Sequence, residues 1–184
     1  MMEKNKLSMA LFLASEVAFF GVLILAYIYY YPSYANGPNA ATVLDPFLAG
    51  IFTVALLASS FTLWRAQKST EHGHYGGQRT WLLATVLLGA IFLLGQAWEY
   101  AQLIGENVTI GGSLFGTTFY TLTGFHGLHV LGGLIALLIL FGLALGGHIT
   151  PARSIAVETV ELYWHFVDVV WVIIFAMVYV WPHL

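Results

Sequence analysis

The chain has 184 residues, 59% of them hydrophobic and 8% charged, with a net charge of −3 and a mean hydropathy of +0.82. Soluble domains run at about 45–50% apolar and about 25% charged, so this composition supplies neither a solvated globular surface nor the polar excess of a disordered chain. Six Lys and Arg argue against nucleic acid as a partner, and zero Cys removes disulfides, iron–sulfur clusters, thiolate copper centres and cysteine nucleophiles. What remains is an integral membrane protein, read as a single transmembrane domain over 1–184.

Crossing about 30 Å of hydrocarbon takes about 20 helical residues. Five apolar stretches are long enough: 7–31, 46–64, 80–104, 118–145 and 155–180. The first follows Lys4 and Lys6 but is too long for the apolar core of a signal peptide and contains Glu16, so it reads as a retained helix. Ala10, Ala14 and Ala18 give it a small-residue stripe suited to helix packing, with Glu16 on nearly the opposite face; both faces being specialised predicts a sandwiched helix. The second stretch opens on Asp45-Pro46, an N-cap followed by Pro at the first helical position. It leads into a polar segment, 65–79, whose His72-Gly73-His74 reads as solvated loop rather than metal site. The third carries Gln96 and Glu99 near its outer end, before Gly111-Gly112. The fourth holds His126 and His129, a possible close-approach pair in Gly142-x-x-x-Gly146, and Gly146-Gly147 as its stop. The fifth follows Thr150-Pro151 and carries Glu158, Glu161, His165 and Asp168, whose steps of 3, 4 and 3 place them within an arc of about 80°.

None of these runs alternates with period two, so the expected fold is all-α, a bundle of five transmembrane helices rather than a barrel. All six cations fall on one side of that model, which predicts a cytoplasmic N-terminus and a C-terminus outside. Tyr and Trp near the span ends suit interfacial anchors.

Charged groups at membrane depth cost at least about 2.5–3.5 kcal/mol each, so they face protein or water. Glu16 lies about 13 Å into the first helix, a depth at which it could meet either His129 or His165. Such a pair reads either as a proton-handling site or as a static hydrogen-bonded lock between helices. His126 and His129 share a helix face and invite a haem or metal reading, but only His165 is available inside the other spans to complete a ligand set. An independent transporter would be expected to carry broken helices and internal repeats, and neither is evident.

Four stretches carry a family resemblance: Ser15-Glu16-Val17-Ala18-Phe19-Phe20-Gly21, Gln96-Ala97-Trp98-Glu99-Tyr100, Gly124-Phe125-His126-Gly127-Leu128-His129-Val130, and Tyr163-Trp164-His165-Phe166-Val167-Asp168-Val169-Val170-Trp171. In order and spacing they resemble subunit III of haem–copper cytochrome c oxidases, across all five helices, and most closely the bacterial five-helix form. The seven-helix form has two further helices ahead of the equivalent of this first span. Their absence would move any lipid site to a surface shared with subunit I or another subunit.

The resemblance implies a chain without haem, copper or catalytic residues of its own, whose partner subunits hold the haems and copper. It implies direct packing on subunit I, with subunit II and small subunits in the same complex, and contact with cytochrome c only through that complex. Bound phospholipid, support of proton uptake through subunit I, protection against inactivation during turnover, and a multi-pass place in the bacterial plasma membrane follow as further expectations. Glu16 matches the family's buried, carbodiimide-reactive carboxylate. Glu99, His126, His129, Glu158, His165 and Asp168 fall on matching positions, whereas Glu161 has no counterpart. Rival readings are subunit III of a quinol oxidase, a nitric oxide reductase accessory protein of the same fold, or a single-haem carrier using the histidines.

Overall fold

Apolar length makes these helices, and short polar signals stop them. The computed structural model describes residues 2–34, 37–149 and 154–184. Helix α1 (Met2–Tyr30) runs into a 3-10 turn (Tyr31–Tyr34), and a four-residue helix α2 (Ala40–Val43) precedes α3 (Pro46–Glu71). Then come α4 (Tyr75–Gly105), α5 (Leu114–Leu145) and α6 (Ser154–Phe175), the last extended by a π-helical turn (Ala176–Val180) and a 3-10 turn (Trp181–His183). Five of these helices are long and apolar enough to cross a membrane.

The ends follow capping chemistry. Asp45 Oδ1 accepts from the backbone N–H groups of Phe47 (2.9 Å) and Leu48 (3.2 Å), with Pro46 at the first helical position. Ser113 accepts from the Gly116 N–H at 2.9 Å to start α5. Gly147, at φ +71°, ends α5: the His148 N–H donates to the Leu143 carbonyl and the Gly147 N–H to that of Ala144. Asn107, at φ 62°, closes α4 in the same way. The expected Thr150-Pro151 start of the last helix, and Arg153, lie outside the described residues.

The helices exceed their apolar cores. The polar segment expected as a loop over 65–79 is mostly helix, and only His72, Gly73 and His74 turn the chain. Once past the hydrocarbon, Arg, Gln, Lys and Glu are good helix formers, so nothing in that stretch stops α3 before Gly73. Gln78 donates to Thr70 Oγ1 at 2.7 Å, tying the projecting ends of α3 and α4 together. Arg79 reaches from the start of α4 to the last carbonyls of α5, donating to Ala144 at 3.0 Å. The α3–α4 turn and the end of α5 therefore share one face of the bundle.

Helices α3, α4, α5 and α6 close a ring, with α3–α4 the most extensive pairing, and α1 lies outside it on α5 and α6. Trp164 fills the centre. A Cβ at Gly89 on α4 would sit 2.9 Å from its ring, and one at Gly133 on α5 would sit 2.7 Å away. Among the described residues the predicted close approach at Gly142 and Gly146 is absent: Gly142 has nothing within 4 Å, and Gly146 meets mainly the side chain of nearby His148. The inward face of this end of α5 is Leu137, Leu140 and Ala144, which turns Gly142 outward.

Candidate functional site

Polar groups of the five long helices meet in three places within the apolar bundle. The first joins α1 to α5. Glu16 Oε2 lies 2.9 Å from His129 Nε2, and His129 Nδ1 lies 2.7 Å from the Phe125 carbonyl. A carbonyl only accepts, so Nδ1 carries a proton. The Nε2–carboxyl contact then needs one proton shared between the two groups, as carboxyl O–H···N or as N–H···carboxylate. Rings of Phe19, Phe20 and Phe125 surround the pair, and the Tyr163 hydroxyl donates to the His129 carbonyl at 3.0 Å. Of the two partners open to Glu16 by depth, the structure brings His129 to it.

His126, one turn earlier, takes no part in this contact. It is fully buried, stacked on Trp171 at 4.9 Å between ring centroids, with Phe20 and Phe92 edge-on, and neither ring nitrogen has a hydrogen-bond partner among the described residues. The two histidines thus point into different surroundings. Among the described residues no three His, Asp or Glu side chains are grouped to hold a metal.

The second place joins α3 to α6. The Ser60 hydroxyl donates to Asp168 Oδ2, so its contact at 2.8 Å with His165 Nδ1 makes the imidazole the donor. The order is His165 to Ser60 to Asp168. His165 Nε2 lies 3.6 Å from Glu161 Oε1, beyond hydrogen-bond reach, and Glu158 stands half-buried one turn before Glu161. Two more bonds line this seam: Trp164 Nε1 donates to Ser59 (2.8 Å) and Trp171 Nε1 to Thr53 (2.9 Å).

The third place is near the opposite end of α4. The Tyr179 hydroxyl donates to Glu99 Oε2 at 2.6 Å, and the Gln96 amide lies 3.4 Å from the same oxygen. Thr53, Ser59 and Ser60 went unnoticed in the sequence because single hydroxyls are common in membrane helices, and Tyr179, which reads from its place near a span end as an interfacial anchor, is instead buried. The available signal was spacing: Thr53 and Ser59 are six apart and Trp164 and Trp171 seven, and on antiparallel helices Ser59 meets Trp164 and Thr53 meets Trp171. The predicted packing alanines behave differently. Ala10, Ala14 and Ala18 are exposed rather than packed among the described residues.

An all-helical membrane bundle with carboxylate–imidazole contacts inside it defines a class of multi-pass membrane protein, and sequence comparison narrows that class. The family model described as cytochrome c oxidase subunit III matches residues 1–183. A probable cytochrome c oxidase subunit 3 of Nocardia farcinica is 41% identical over 170 residues, covering 92% of this chain and 84% of that protein. A probable cytochrome c oxidase subunit 3 of Mycobacterium leprae is 41% identical over 167 residues (91% of this chain, 83% of that protein). The cytochrome c oxidase subunit 3 of a Synechocystis strain is 39% identical over 171 residues, covering 92% and 72%. The chain belongs to the cytochrome c oxidase subunit III family and is subunit III of a haem–copper oxidase, a membrane component of a multisubunit oxidoreductase.

Proposed function

We propose that the chain acts as one transmembrane domain in the non-redox subunit of a bacterial, proton-translocating cytochrome c oxidase. In this reading it lies in the plasma membrane with its N-terminus cytoplasmic and its C-terminus outside. It packs on subunit I, stabilises it and supports its proton uptake, while haems, copper and the docking of cytochrome c belong to partner subunits. The observation that carries the reading is the Glu16–His129 contact, in which one proton is shared between two helices at membrane depth. Two groups with a single proton form a lock in either proton position, and moving that proton requires no rearrangement of the backbone. Glu99, His126, Glu158, His165 and Asp168 are assigned structural or proton-holding roles around it. The grouping of Arg65, Lys68 and Arg79 about the α3–α4 turn supports the orientation. Bound phospholipid is part of the proposal. An open apolar groove of about 770 Å³, lined by Tyr100, Ile104, Tyr120, Gly124, Phe125 and Leu128, supports a hydrocarbon site built within this chain.

The test is a reduced-minus-oxidised optical spectrum of the tagged chain purified in mild detergent, repeated after its partners are stripped away. Haem bands before stripping and a colourless chain afterwards are expected. Bands that stay with the isolated chain would overturn the non-redox assignment.

A further inference from the structure

The end of the bundle away from the α3–α4 turn is acidic and open. A pocket of about 420 Å³ lies there between α2, the start of α3 and the end of α4, and its walls include Thr42, Asp45, Leu48, Glu99, Gln102 and Glu106. No Lys or Arg occurs between Lys6 and Arg65 or between Arg79 and Arg153, so the segments forming this pocket carry none. A site this roomy and polar holds water. Asp45 and Glu106 are exposed. Glu99 is half-buried and lies about 9 Å along α4 from its last residue, Gly105.

Glu99 also lines a second, smaller cavity. It measures about 10 Å³, the room of a single water, and lies among Phe52, Phe92, Gln96, Trp171 and Tyr179. Leu48 and Glu99 belong to the walls of both. Gln96 is 6% exposed, and its Oε1 has no hydrogen-bond partner among the described residues, while its Nε2 lies 3.4 Å from Glu99 Oε2. A buried amide carbonyl needs a donor. Tyr179 already gives its proton to Glu99, and Trp171 gives its N–H to Thr53. Water is the donor that fits.

We infer that Glu99 is a water-connected carboxyl, hydrated from the pocket on one side and bound on the other to a water that donates to Gln96 Oε1 and to a Glu99 oxygen. Its proton exchanges with the aqueous phase at this end of the bundle, outside in the proposed orientation, and from that phase Glu99 is open to chemical modification. The proton of the Glu16–His129 pair is confined instead, ringed by Phe19, Phe20 and Phe125. The inference extends the proton-holding role proposed for Glu99 and depends on the bundle lying in a membrane, not on which way it faces.

The experiment treats sealed membrane vesicles of each sidedness with a membrane-impermeant quaternary-ammonium carbodiimide and glycine methyl ester, and maps the full chain by mass spectrometry. The Glu99 carboxyl proton passes to a carbodiimide nitrogen as a carboxyl oxygen bonds the central carbon; the amine then displaces the urea and leaves an amide. Glu99 is expected to be labelled from the same side as an Asn107→Cys variant reacts with maleimide. Gln102→Trp, at an exposed position on the pocket wall, should slow that labelling about tenfold or more, because a cationic reagent must then enter hydrocarbon. X-ray radiolysis of the purified complex should oxidise Tyr179 through the adjoining water although its ring is fully buried, Gln96→Leu should cut that oxidation several-fold, and the equally buried Trp164 should stay unoxidised. Glu99 labelled only by the hydrocarbon-soluble dicyclohexylcarbodiimide, labelled from the side opposite to Asn107→Cys, or labelled equally fast in Gln102→Trp would each overturn the inference, as would a Tyr179 no more oxidised than Trp164. Glu99 and Asn107→Cys labelled together from the cytoplasmic side would reverse the proposed orientation and still support this inference.

Discussion

Replacing Glu16 separates the lock from the proton. Both side chains of the Glu16–His129 pair are less than one-fifth exposed, so removing the carboxyl leaves His129 Nε2 largely desolvated and unpaired. An unsatisfied buried polar group costs about 1–3 kcal/mol, while hydrogen bonds between membrane helices average about 0.6 and reach about 1.7 kcal/mol. For a charge-assisted or short neutral contact at 2.9 Å the upper part of that overlap applies, so Glu16→Ala should destabilise by about 1–2 kcal/mol. Glu16→Gln should cost under about 0.5 kcal/mol, because the amide N–H donates to Nε2 and His129 keeps its Nδ1 bond to Phe125. The assay is denaturant-driven loss of the chain from the detergent-solubilised complex, with His129→Ala and the double variant completing a thermodynamic cycle. Each 1.4 kcal/mol appears as about a tenfold change in the dissociated-to-bound ratio. If the proton itself matters, Glu16→Gln retains stability and haem content but loses activity faster during turnover. A coupling energy near zero would refute the pairing. A Gln variant as unstable as the Ala variant, or one without haem, would make Glu16 an assembly determinant and refute the proton role.

Gly133→Ala should destabilise the bundle by about 1–3 kcal/mol, since its Cβ would lie 2.7 Å from the Trp164 ring, whereas Gly142→Ala, with open space around it, should be near neutral. Thermal unfolding followed by tryptophan fluorescence compares the two. Arg79→Met should free the Ala144 and Leu145 carbonyls and speed amide exchange over 145–149, leaving exchange in the middle of α5 unchanged. Because the chain contains no cysteine, a single Cys at His74 should react with an impermeant maleimide only from the cytoplasmic side, and one at Asn107 only from outside; the opposite pattern would reverse the proposed orientation.

The existence and order of the five membrane helices were legible in one dimension, because crossing a bilayer needs a long apolar run and little else resembles one. Asp45-Pro46 was legible for a similar reason: an N-cap acts within three residues of itself. The membership of the family rested on motifs dense in residues that are costly in a membrane, which the comparisons matched over the same chain. The helix ends at 71 and 75 were not legible, since polar residues beyond the bilayer form helix as readily as loop.

Only the tertiary structure decided which histidine meets Glu16. Depth along a helix follows from residue count, but His129 and His165 lie at similar depths, and the choice depends on which helix α1 packs against and on the rotation of each about its axis. The same cause moved the close approach from Gly142 to Gly89 and Gly133, where Trp164 of a third helix happens to lie. It also left Ala10, Ala14 and Ala18 exposed and His165 half open on α6. A sequence specifies how much of each helix is polar and how far along; which direction those groups face is set by all the helices packing at once.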